Sequence, residues 1–382
     1  MTYVNVFTAI HKAAPRGWFA RTAATLSLLP ALAIGLAGCG GGSNSGACVT
    51  NCTTPPPAYV IPTMKPTFSL TGDVTPVHDP SISYDNGTYY SMSTDPGGTT
   101  QHLLPIRTST DKINWVSGGS VFPTIPAVIA NYFAPTVLTS LWAPDVSFFN
   151  GLWHLYYVGS DFGTNTSIIA LATSPTLDPT DPTYKWTDQG KVISSNSSNP
   201  YNTIDPSILV DTDSSGNPTN VWMSFGSYFG GIYEAQIDPT TGLLSTTNTA
   251  VTNIATRPGV TNNPIEGTSL VKHNGYYYLF ASFDYCCDAD PAQDNYKIAV
   301  GRSTSPQGPF ADMTGTAMLQ GGGTILLQSG TQWTAPGGAT VLIDATHGDL
   351  IAYHALDSSD GYLDYLFVDA LTWPSDWPVI TQ

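Results

Sequence analysis

The sequence predicts an all-β fold, a five-bladed β-propeller, and three observations support this prediction. The chain of 382 residues contains 36 Gly and 30 Pro, and so many helix-breaking residues argue against a helical bundle. Apolar residues make up 41% of the chain and aromatic residues 11%, which excludes a disordered protein and favours strands. A unit composed of an apolar segment, a turn and an aromatic-rich strand occurs five times.

The five repeats begin near positions 79, 145, 205, 266 and 338 and are therefore 66, 60, 61 and 72 residues apart. Three of them contain Asn-Gly between two apolar runs, at Asn86-Gly87, Asn150-Gly151 and Asn274-Gly275. Asn-Gly is the strongest local signal for a hairpin, because both turn residues must adopt positive φ. A spacing of roughly 60 to 70 residues suits a four-stranded blade, so five units predict five blades. A two-sheet sandwich is the alternative.

The first 38 residues have the pattern of a secretory signal peptide. Lys12, Arg16 and Arg21 precede an apolar run over residues 26–35 that is too short to span a membrane. The run ends in Leu36-Ala37-Gly38-Cys39, which resembles a bacterial lipobox, whose cysteine becomes lipid-modified after cleavage. An ordinary signal peptide is the alternative.

Residues 39–57 are rich in Gly, Ser and Pro and are predicted to form a tether between Cys39 and a propeller domain over residues 58–382. We therefore expect an exported protein that is lipid-anchored in the cell envelope, at the outer membrane or the cell surface. Cys39 would be its only contact with the membrane, and we expect a monomer.

The cysteine count agrees with export. With Cys39 as the anchor, the other four cysteines form two sequence-local pairs, Cys48/Cys52 and Cys286/Cys287, which an exported protein can oxidise. We predict a vicinal disulfide between Cys286 and Cys287, with two reduced thiols as the alternative. The cysteines lack the two-by-two spacing with histidine partners that zinc sites require.

The formal net charge of −16 limits the classes of partner. Nucleic acid is excluded, because binding to phosphates requires a surplus of Lys and Arg. A polyanionic substrate is also disfavoured, since the field of the protein would repel it. A neutral or cationic ligand remains.

Carboxylates recur where the repeats begin. Asp79, Asp205 and Glu266 occupy equivalent positions in three repeats, while the second repeat carries Asp145 two residues later and the fifth carries Gly337-Gly338. The innermost strands of a propeller converge on its central channel, so these acids are predicted to face one another there. A single Asp-Pro is usually a turn, but three acids in register indicate a site.

Two kinds of chemistry use such a cluster, metal binding and general acid–base catalysis. The chain has no complete calcium-binding loop, no paired-histidine zinc motif and no Gly-x-Ser-x-Gly elbow. Hydrolysis of a glycosidic bond, in contrast, needs two carboxyl groups in different protonation states on either side of a neutral sugar bond. Acids on different blades are expected to lie about 6.5–9.5 Å apart, the separation that leaves room for a water and gives inversion.

Several motifs carry a resemblance to a known family. The sequence resembles glycoside hydrolase family 43 in Val77-His78-Asp79-Pro80-Ser81, Leu141-Trp142-Ala143-Pro144-Asp145-Val146, Asn202-Thr203-Ile204-Asp205-Pro206-Ser207 and Ile265-Glu266-Gly267. Two further runs, Phe283-Asp284-Tyr285-Cys286-Cys287 and Tyr296-Lys297-Ile298-Ala299-Val300-Gly301-Arg302-Ser303, are most similar to its endo-α-1,5-L-arabinanases.

The resemblance covers about residues 73–373 and implies a five-bladed propeller and an inverting, endo-acting hydrolase of arabinan, a neutral plant cell-wall polysaccharide. An exo-acting α-L-arabinofuranosidase or a β-xylosidase of the same family is an alternative activity. A glycan-binding lipoprotein without catalytic activity is an alternative from a different class. The three acids argue against it, because binding alone does not require them.

The resemblance also implies the roles of individual residues. Asp79 would be the general base that activates water, Glu266 the general acid, and Asp205 would orient the sugar and keep Glu266 protonated. The implied substrate-binding residues are Asp79, Trp142, Gly163, Asn202, Thr203, Ile204, Asp205, Gly226, Ser227 and Tyr228. Asp145 has no counterpart among the family's catalytic acids, and we predict a structural hydrogen-bonding role for it.

One position departs from the family pattern. Arabinanases often carry in the fifth blade a histidine that holds a water cluster centred on calcium or sodium, and Gly338 stands in its place here. His354 follows too far along the chain to be the same residue. We therefore expect no metal ligand and no required cofactor, and a calcium or sodium ion in the channel is the alternative.

Overall fold

The computed structural model describes residues 59–96 and 102–382, and within them five sheets follow one another along the chain. Each sheet contains four antiparallel strands that are consecutive in sequence, and the first also carries a short parallel strand at its outer edge. The predicted signal peptide and tether, with Cys39, Cys48 and Cys52, lie outside the described residues.

Blade 1 contains five strands and each of the other blades contains four. Blade 1 contains β1 (Thr71–Gly72), β2 (Ser81–Asp85), β3 (Thr88–Met92), β4 (Leu103–Ser109) and β5 (Asn114–Phe122). Blade 2 contains β6 (Trp142–Phe149), β7 (Leu152–Ser160), β8 (Ser167–Ser174) and β9 (Thr187–Ser195), and the helix α1 (Ala127–Phe133) precedes it. Blade 3 contains β10 (Ser207–Thr212), β11 (Pro218–Phe225), β12 (Ile232–Ile237) and β13 (Val251–Ala255). Blade 4 contains β14 (Ile265–His273), β15 (Tyr276–Phe283), β16 (Lys297–Ser303) and β17 (Thr324–Leu327). Blade 5 contains β18 (Trp333–Leu342), β19 (Leu350–Asp357), β20 (Leu363–Thr372) and β21 (Val379–Thr381).

This architecture confirms the predicted five-bladed propeller, and the sandwich alternative is wrong. Five apolar clusters hold the blades together, one between each pair of neighbours. Because successive side chains of a strand point to opposite faces, Tyr156 packs between blades 2 and 3 while Tyr157 packs between blades 1 and 2. Both rings are fully buried, and each such burial stabilises the fold by roughly 1.5–3 kcal/mol.

The Asn-Gly pairs form the tight hairpin turns that the sequence predicts. Asn86, Asn150 and Asn274 have φ values of 47°, 51° and 48°. The glycines that follow them also have positive φ, which is the backbone of a type I′ turn. These turns join the innermost strand to the second strand in blades 1, 2 and 4.

A left-handed residue lies within or just before the innermost strand of each blade. The equivalent positions, all with φ between 35° and 59°, are Asp79, Ala143, Asp205, Gly267 and Gly338. In blades 2, 4 and 5 this residue lies in a β-bulge, which directs the neighbouring side chain away from the regular alternation. Glu266 therefore lies one residue before the position that Asp79 and Asp205 share, which corrects the predicted register.

Two residues after this position in blades 2, 3 and 4, a polar side chain bonds to the next blade. Ser207 Oγ accepts a hydrogen bond from the Leu270 N–H (3.0 Å), and Ser269 Oγ accepts one from the Val341 N–H (3.1 Å). Asp145 has the same place in blade 2, and its Oδ2 accepts from the Ile208 N–H of blade 3 (3.2 Å). Burial raises the pKa of Asp145 to about 7. Asp145 thus has the structural hydrogen-bonding role that the sequence predicts.

The ring closes through hydrogen bonds between blades 1 and 5. The Val77 N–H donates to the Asp364 carbonyl (3.2 Å), and Thr340 Oγ1 donates to the Pro80 carbonyl (2.8 Å). Among the described residues, no helix has the length and apolar character needed to cross a membrane.

Candidate active site

A cavity of about 1330 Å³ lies where the innermost strands converge, and Asp79, Asp205 and Glu266 all line it. The structure thus brings together the three acids that the sequence predicts. They come from blades 1, 3 and 4, and each lies at or next to a left-handed residue that opens an innermost strand.

Asp79 is held by hydrogen bonds with Thr94 and His354. Thr94 Oγ1 donates to its Oδ2 (2.8 Å), and the same hydroxyl accepts from the Ala143 N–H of blade 2 (2.8 Å). The Asp79 N–H donates to His354 Nδ1 (3.1 Å). About a quarter of the Asp79 side chain, 23%, remains exposed to the cavity.

A buried histidine pair adjoins Asp79. His78 Nε2 lies 3.6 Å from Asp79 Oδ1, and His78 Nδ1 lies 3.1 Å from Asp364 Oδ1. The imidazole of His78 stacks on that of His354, with ring centroids 3.9 Å apart and planes inclined by 21°. Burial and then the charge of His78 lower the pKa of His354 well below its usual value, so His354 is neutral and its Nδ1 can accept.

Glu266 is surrounded by hydroxyl groups. Ser227 Oγ donates to its Oε2 (2.6 Å), and the Tyr296 hydroxyl donates to its Oε1. Burial raises the pKa of Glu266, and the hydrogen bonds from Ser227 and Tyr296 only partly offset this effect. The surroundings of Glu266 therefore favour its protonated form.

Asp205 interacts with Glu266. Its Oδ2 accepts from the Gly267 N–H (2.9 Å), next to Glu266 in sequence. Burial raises the pKa of Asp205 well above its usual value, and the charges of Glu266 and Asp79 raise it further. Two interacting carboxyls titrate as a pair, so this pair retains a proton at pH values where an exposed carboxyl has lost it.

Most of the predicted substrate-binding residues line the cavity. Together with Asp79 and Asp205 they are Trp142, Gly163, Asn202, Ile204, Ser227 and Tyr228. Asn202 is oriented by Ser167, whose Oγ donates to its Oδ1 (2.6 Å). The indole of Trp142 is half-buried and meets Phe162 edge to face at 6.2 Å between ring centroids.

Two predicted contact residues, Thr203 and Gly226, are not among the residues that line the cavity. Thr203 is fully buried because its side chain turns inward, where Oγ1 donates to the Ser167 carbonyl (2.9 Å). The Gly226 N–H donates to the Ile204 carbonyl (2.9 Å), and the Gly231 carbonyl leaves no room for a Cβ. Both residues are held by hydrogen bonds within the protein, and their contact with substrate stays a prediction.

The loop after β15 carries the predicted disulfide between Cys286 and Cys287, and both cysteines line the cavity. Asp284 anchors this loop through Arg257 (2.7 Å) and Lys297 (2.5 Å). Burial raises the pKa of Asp284, but the two cations outweigh burial and lower it below its usual value. The ion pairs therefore fix the loop on the wall of the cavity.

Side chains already fill the position of the family's metal-associated histidine. A Cβ added to Gly338 would lie 2.5 Å from Asp79 Oδ1 and 2.8 Å from His354 Nδ1. In the described part of the chain, one group of potential metal ligands lies nearby, namely His78, Cys286 and His354. Calcium prefers oxygen ligands, and Cys286 is engaged in the disulfide, so these residues do not fit such an ion.

Sequence reasoning did not assign a role at the site to His78, Thr94, Tyr296 or His354. His78 and Tyr296 lie within the motifs that carry the family resemblance, which is the signal that could have identified them. Thr94 has no such signal. His354 reaches Asp79 because β19 pairs with β18 opposite Gly337, a relation that is invisible in the linear sequence.

Comparison with known families agrees with this geometry. The model of the family described as glycosyl hydrolases family 43 matches residues 74–378. The chain belongs to this family.

Similar proteins include characterised and solved members. The extracellular endo-α-(1→5)-L-arabinanase 1 of Bacillus subtilis strain 168 is 40% identical over 302 residues, which are 79% of this chain and 87% of that protein. An extracellular exo-α-(1→5)-L-arabinofuranosidase of Cellvibrio japonicus is 34% identical over 80% of this chain and 86% of its own length. The structure of an endo-arabinanase from Bacillus licheniformis superposes with a TM-score of 0.71 at 37% identity, covering 82% of this chain and all of that one.

Proposed function

We propose that this chain is an inverting glycoside hydrolase that cleaves α-1,5-L-arabinofuranosidic bonds within arabinan. The observation that carries the proposal is one cavity with two carboxyl groups in opposite surroundings. Asp79 accepts a hydrogen bond from Thr94 beside an imidazole, while Glu266 is buried among hydroxyls and its pKa is raised by burial. An inverting glycosidase needs such a pair, one carboxylate and one carboxylic acid.

In the proposed reaction, Asp79 takes a proton from a water whose oxygen attacks the anomeric carbon. The bond between that carbon and the leaving oxygen breaks, and Glu266 delivers its proton to that oxygen. Asp205, whose charge interacts with that of Glu266 and which faces the same cavity, orients the sugar and supports the protonated state of its neighbour. The water attacks opposite the leaving group, so the anomeric configuration inverts.

Three observations support arabinan as the substrate. The relatives with the endo-arabinanase name cover most of this chain, and one solved relative, a Cellvibrio cellulosa α-L-arabinanase, is complexed with arabinohexaose. The cavity of about 1330 Å³ exceeds the about 300–1,000 Å³ typical of small-molecule pockets, which suits several linked sugars. Arabinan is also neutral, which is compatible with the net charge of −16.

The product profile on linear arabinan tests this proposal. We expect short oligosaccharides early in the reaction, little activity on xylan, and a product whose first anomer by NMR is β. Release of only one small product from chain ends would indicate the exo-acting alternative. The similarity to the exo-acting Cellvibrio japonicus protein is the reason to test for it. Hydrolysis of xylosides in preference to arabinan would indicate a β-xylosidase, and no hydrolysis of any glycan would refute the proposal.

Metal independence is part of the proposal, because the residues around Gly338 do not fit a calcium site. Enzyme treated with a chelator and then dialysed is expected to retain its activity on arabinan. A loss of activity that added calcium restores would contradict this expectation.

We further propose that the protein is exported and anchored by a lipid on Cys39. The Bacillus subtilis and Cellvibrio japonicus relatives are named extracellular, which supports export. Anchoring, at the outer membrane or the cell surface, rests on Leu36-Ala37-Gly38-Cys39 alone. Cys39→Ala is expected to move the protein from the membrane fraction to the soluble fraction, and a wild-type protein without acyl groups would contradict the anchor.

A further inference from the structure

His78 connects the proposed base to a second acid behind it. Its Nε2 lies 3.6 Å from Asp79 Oδ1, and its Nδ1 lies 3.1 Å from Asp364 Oδ1 on blade 5. The side chains of His78 and Asp364 are each only 11% exposed. The imidazole is therefore confined between two carboxylates, one of which faces the substrate cavity.

Side chains cover most of the His78 imidazole. The neutral ring of His354 stacks on one side, with ring centroids 3.9 Å apart. The sulfur atoms of Cys286 and Cys287 lie 3.7 Å and 3.6 Å from His78 Nε2. Sulfur atoms and a stacked imidazole screen charge less than water does. The charges of His78, Asp79 and Asp364 therefore interact strongly.

Acids outnumber cations around this imidazole. Asp79 and Asp364 face it directly, Asp294 lies within electrostatic reach on the disulfide loop, and the site acids Asp205 and Glu266 lie across the cavity. Burial lowers the pKa of His78, but the charges of Asp79 and Asp364 outweigh burial and raise it to about 10. His354 remains neutral, because burial and the charge of His78 lower its pKa.

We propose that His78 is a positioning residue for Asp79: held by Asp364, its positively charged imidazole fixes the Asp79 carboxylate at the cavity. This inference rests on the proposed function, in which Asp79 is the base. Thr94 holds Oδ2 of the same carboxylate through a hydrogen bond, so His78 and Thr94 together fix both oxygens. The disulfide acts as part of the wall and takes no part in proton transfer.

The protonation of His78 can be measured without any substrate. In the full-length protein, long-range ¹H–¹⁵N NMR of the imidazoles is expected to show His78 doubly protonated from pH 6 to pH 8.5. In Asp79→Asn the midpoint of this titration is expected to fall by at least about 1 pH unit, because one of the two facing charges is removed. A neutral His78 at pH 7.5 in the wild type would overturn the proposal.

The pH profile of kcat/KM on arabinan tests the consequence for Asp79. His78→Asn removes the positive charge and retains a side-chain amide, so the acidic limb is expected to move upward by about 1–3 pH units. Asp364→Asn leaves the imidazole in place and is expected to move the limb in the same direction by less. A uniform loss at every pH, with the limb unmoved in both variants, would mean a structural role only and would overturn the proposal.

His273→Asn is the matched control. His273 also faces an aspartate, with its Nε2 3.7 Å from Asp349 Oδ2, and also stacks on a ring, that of Trp373 at 4.2 Å, but it does not line the cavity. The acidic limb is expected to stay in place in this variant. If His78 titrates as expected but the wild type hydrolyses no glycan, the proposed function fails while the link between His78 and Asp79 stands.

Discussion

The Asp79 side and the Glu266 side of the cavity carry the same functional group in opposite electrostatic settings. Asp79 is partly exposed, accepts a hydrogen bond from Thr94 and adjoins the imidazole of His78. Glu266 lies among the hydroxyls of Ser227 and Tyr296, with another carboxyl as its partner. The two carboxyls have similar pKa values in water, so the residues around each one must account for any difference between them.

The fold creates this difference because the two sides are built from different blades. The segment before β2 brings Asp79 to the seam between blades 1 and 5, where β19 supplies His354 and β20 supplies Asp364. Glu266 lies on β14, where the bulge directs it toward Ser227 from blade 3. Blade 5 therefore contributes a histidine to the base, and blade 3 contributes a hydroxyl to the acid.

The largest effect is expected from Asp79→Ala, which removes the carboxylate on one side of the comparison. Hydrolysis should become undetectable on arabinan and equally on aryl arabinosides with good leaving groups, because no other group deprotonates the attacking water. Azide is expected to restore turnover and to yield a glycosyl azide of inverted configuration. Circular dichroism should confirm that the variant is folded, and residual activity on the aryl substrate would contradict the role of Asp79 as base.

Glu266→Ala tests the other side, and its effect should depend on the leaving group. The rate on arabinan is expected to fall by a factor of ~100 or more, the usual size of general acid catalysis, while aryl arabinosides with acidic leaving groups are largely spared. The matched control is Glu234→Gln, which changes the only other glutamate of the chain, also buried and away from the cavity. A Glu266→Ala variant with nearly wild-type activity on arabinan would remove the acid from the mechanism.

The sequence predicts the two sides of the site unequally. Asp79, Asp205 and Glu266 could be found because each opens a repeat and lies in a recognisable motif. The surroundings of Asp79 could not, because His354 and Asp364 follow almost 300 residues later and meet it only when the propeller closes. A motif also does not report which way each side chain points: the Thr203 side chain is buried, and its Oγ1 donates to the Ser167 carbonyl.

Gly338→Ala tests the Asp79 side of the cavity alone, because the added methyl group crowds only that side. The added Cβ would lie 2.5 Å from Asp79 Oδ1 and would require a left-handed alanine at φ 57°. Displacing a reacting group by about 1 Å can cost ~100-fold, so we expect kcat/KM to fall by ~10- to 100-fold. Gly275→Ala is the control, since its φ is 80° but no atom lies within 4 Å of the new Cβ. Equal losses of activity in the two variants would mean that backbone strain alone is responsible.

The smallest effect is expected from Tyr296→Phe, which keeps the ring and removes one hydroxyl from the Glu266 side. The Tyr296 hydroxyl donates to Glu266 Oε1 and lowers the pKa of Glu266, so its loss should raise that pKa further. A general acid must be protonated, and activity is lost as the pH rises through its pKa. The alkaline limb of kcat/KM on arabinan is therefore expected to move upward by about 1 pH unit, the usual strength of a hydrogen bond to a charged group, while the acidic limb stays in place. Tyr285→Phe is the control, because its hydroxyl donates to the Thr261 carbonyl and does not touch Glu266. A downward shift of the alkaline limb in Tyr296→Phe would mean that the hydroxyl stabilises the protonated form of Glu266. A shift of the acidic limb instead would mean that the Asp79 and Glu266 sides of the cavity are not electrostatically separate.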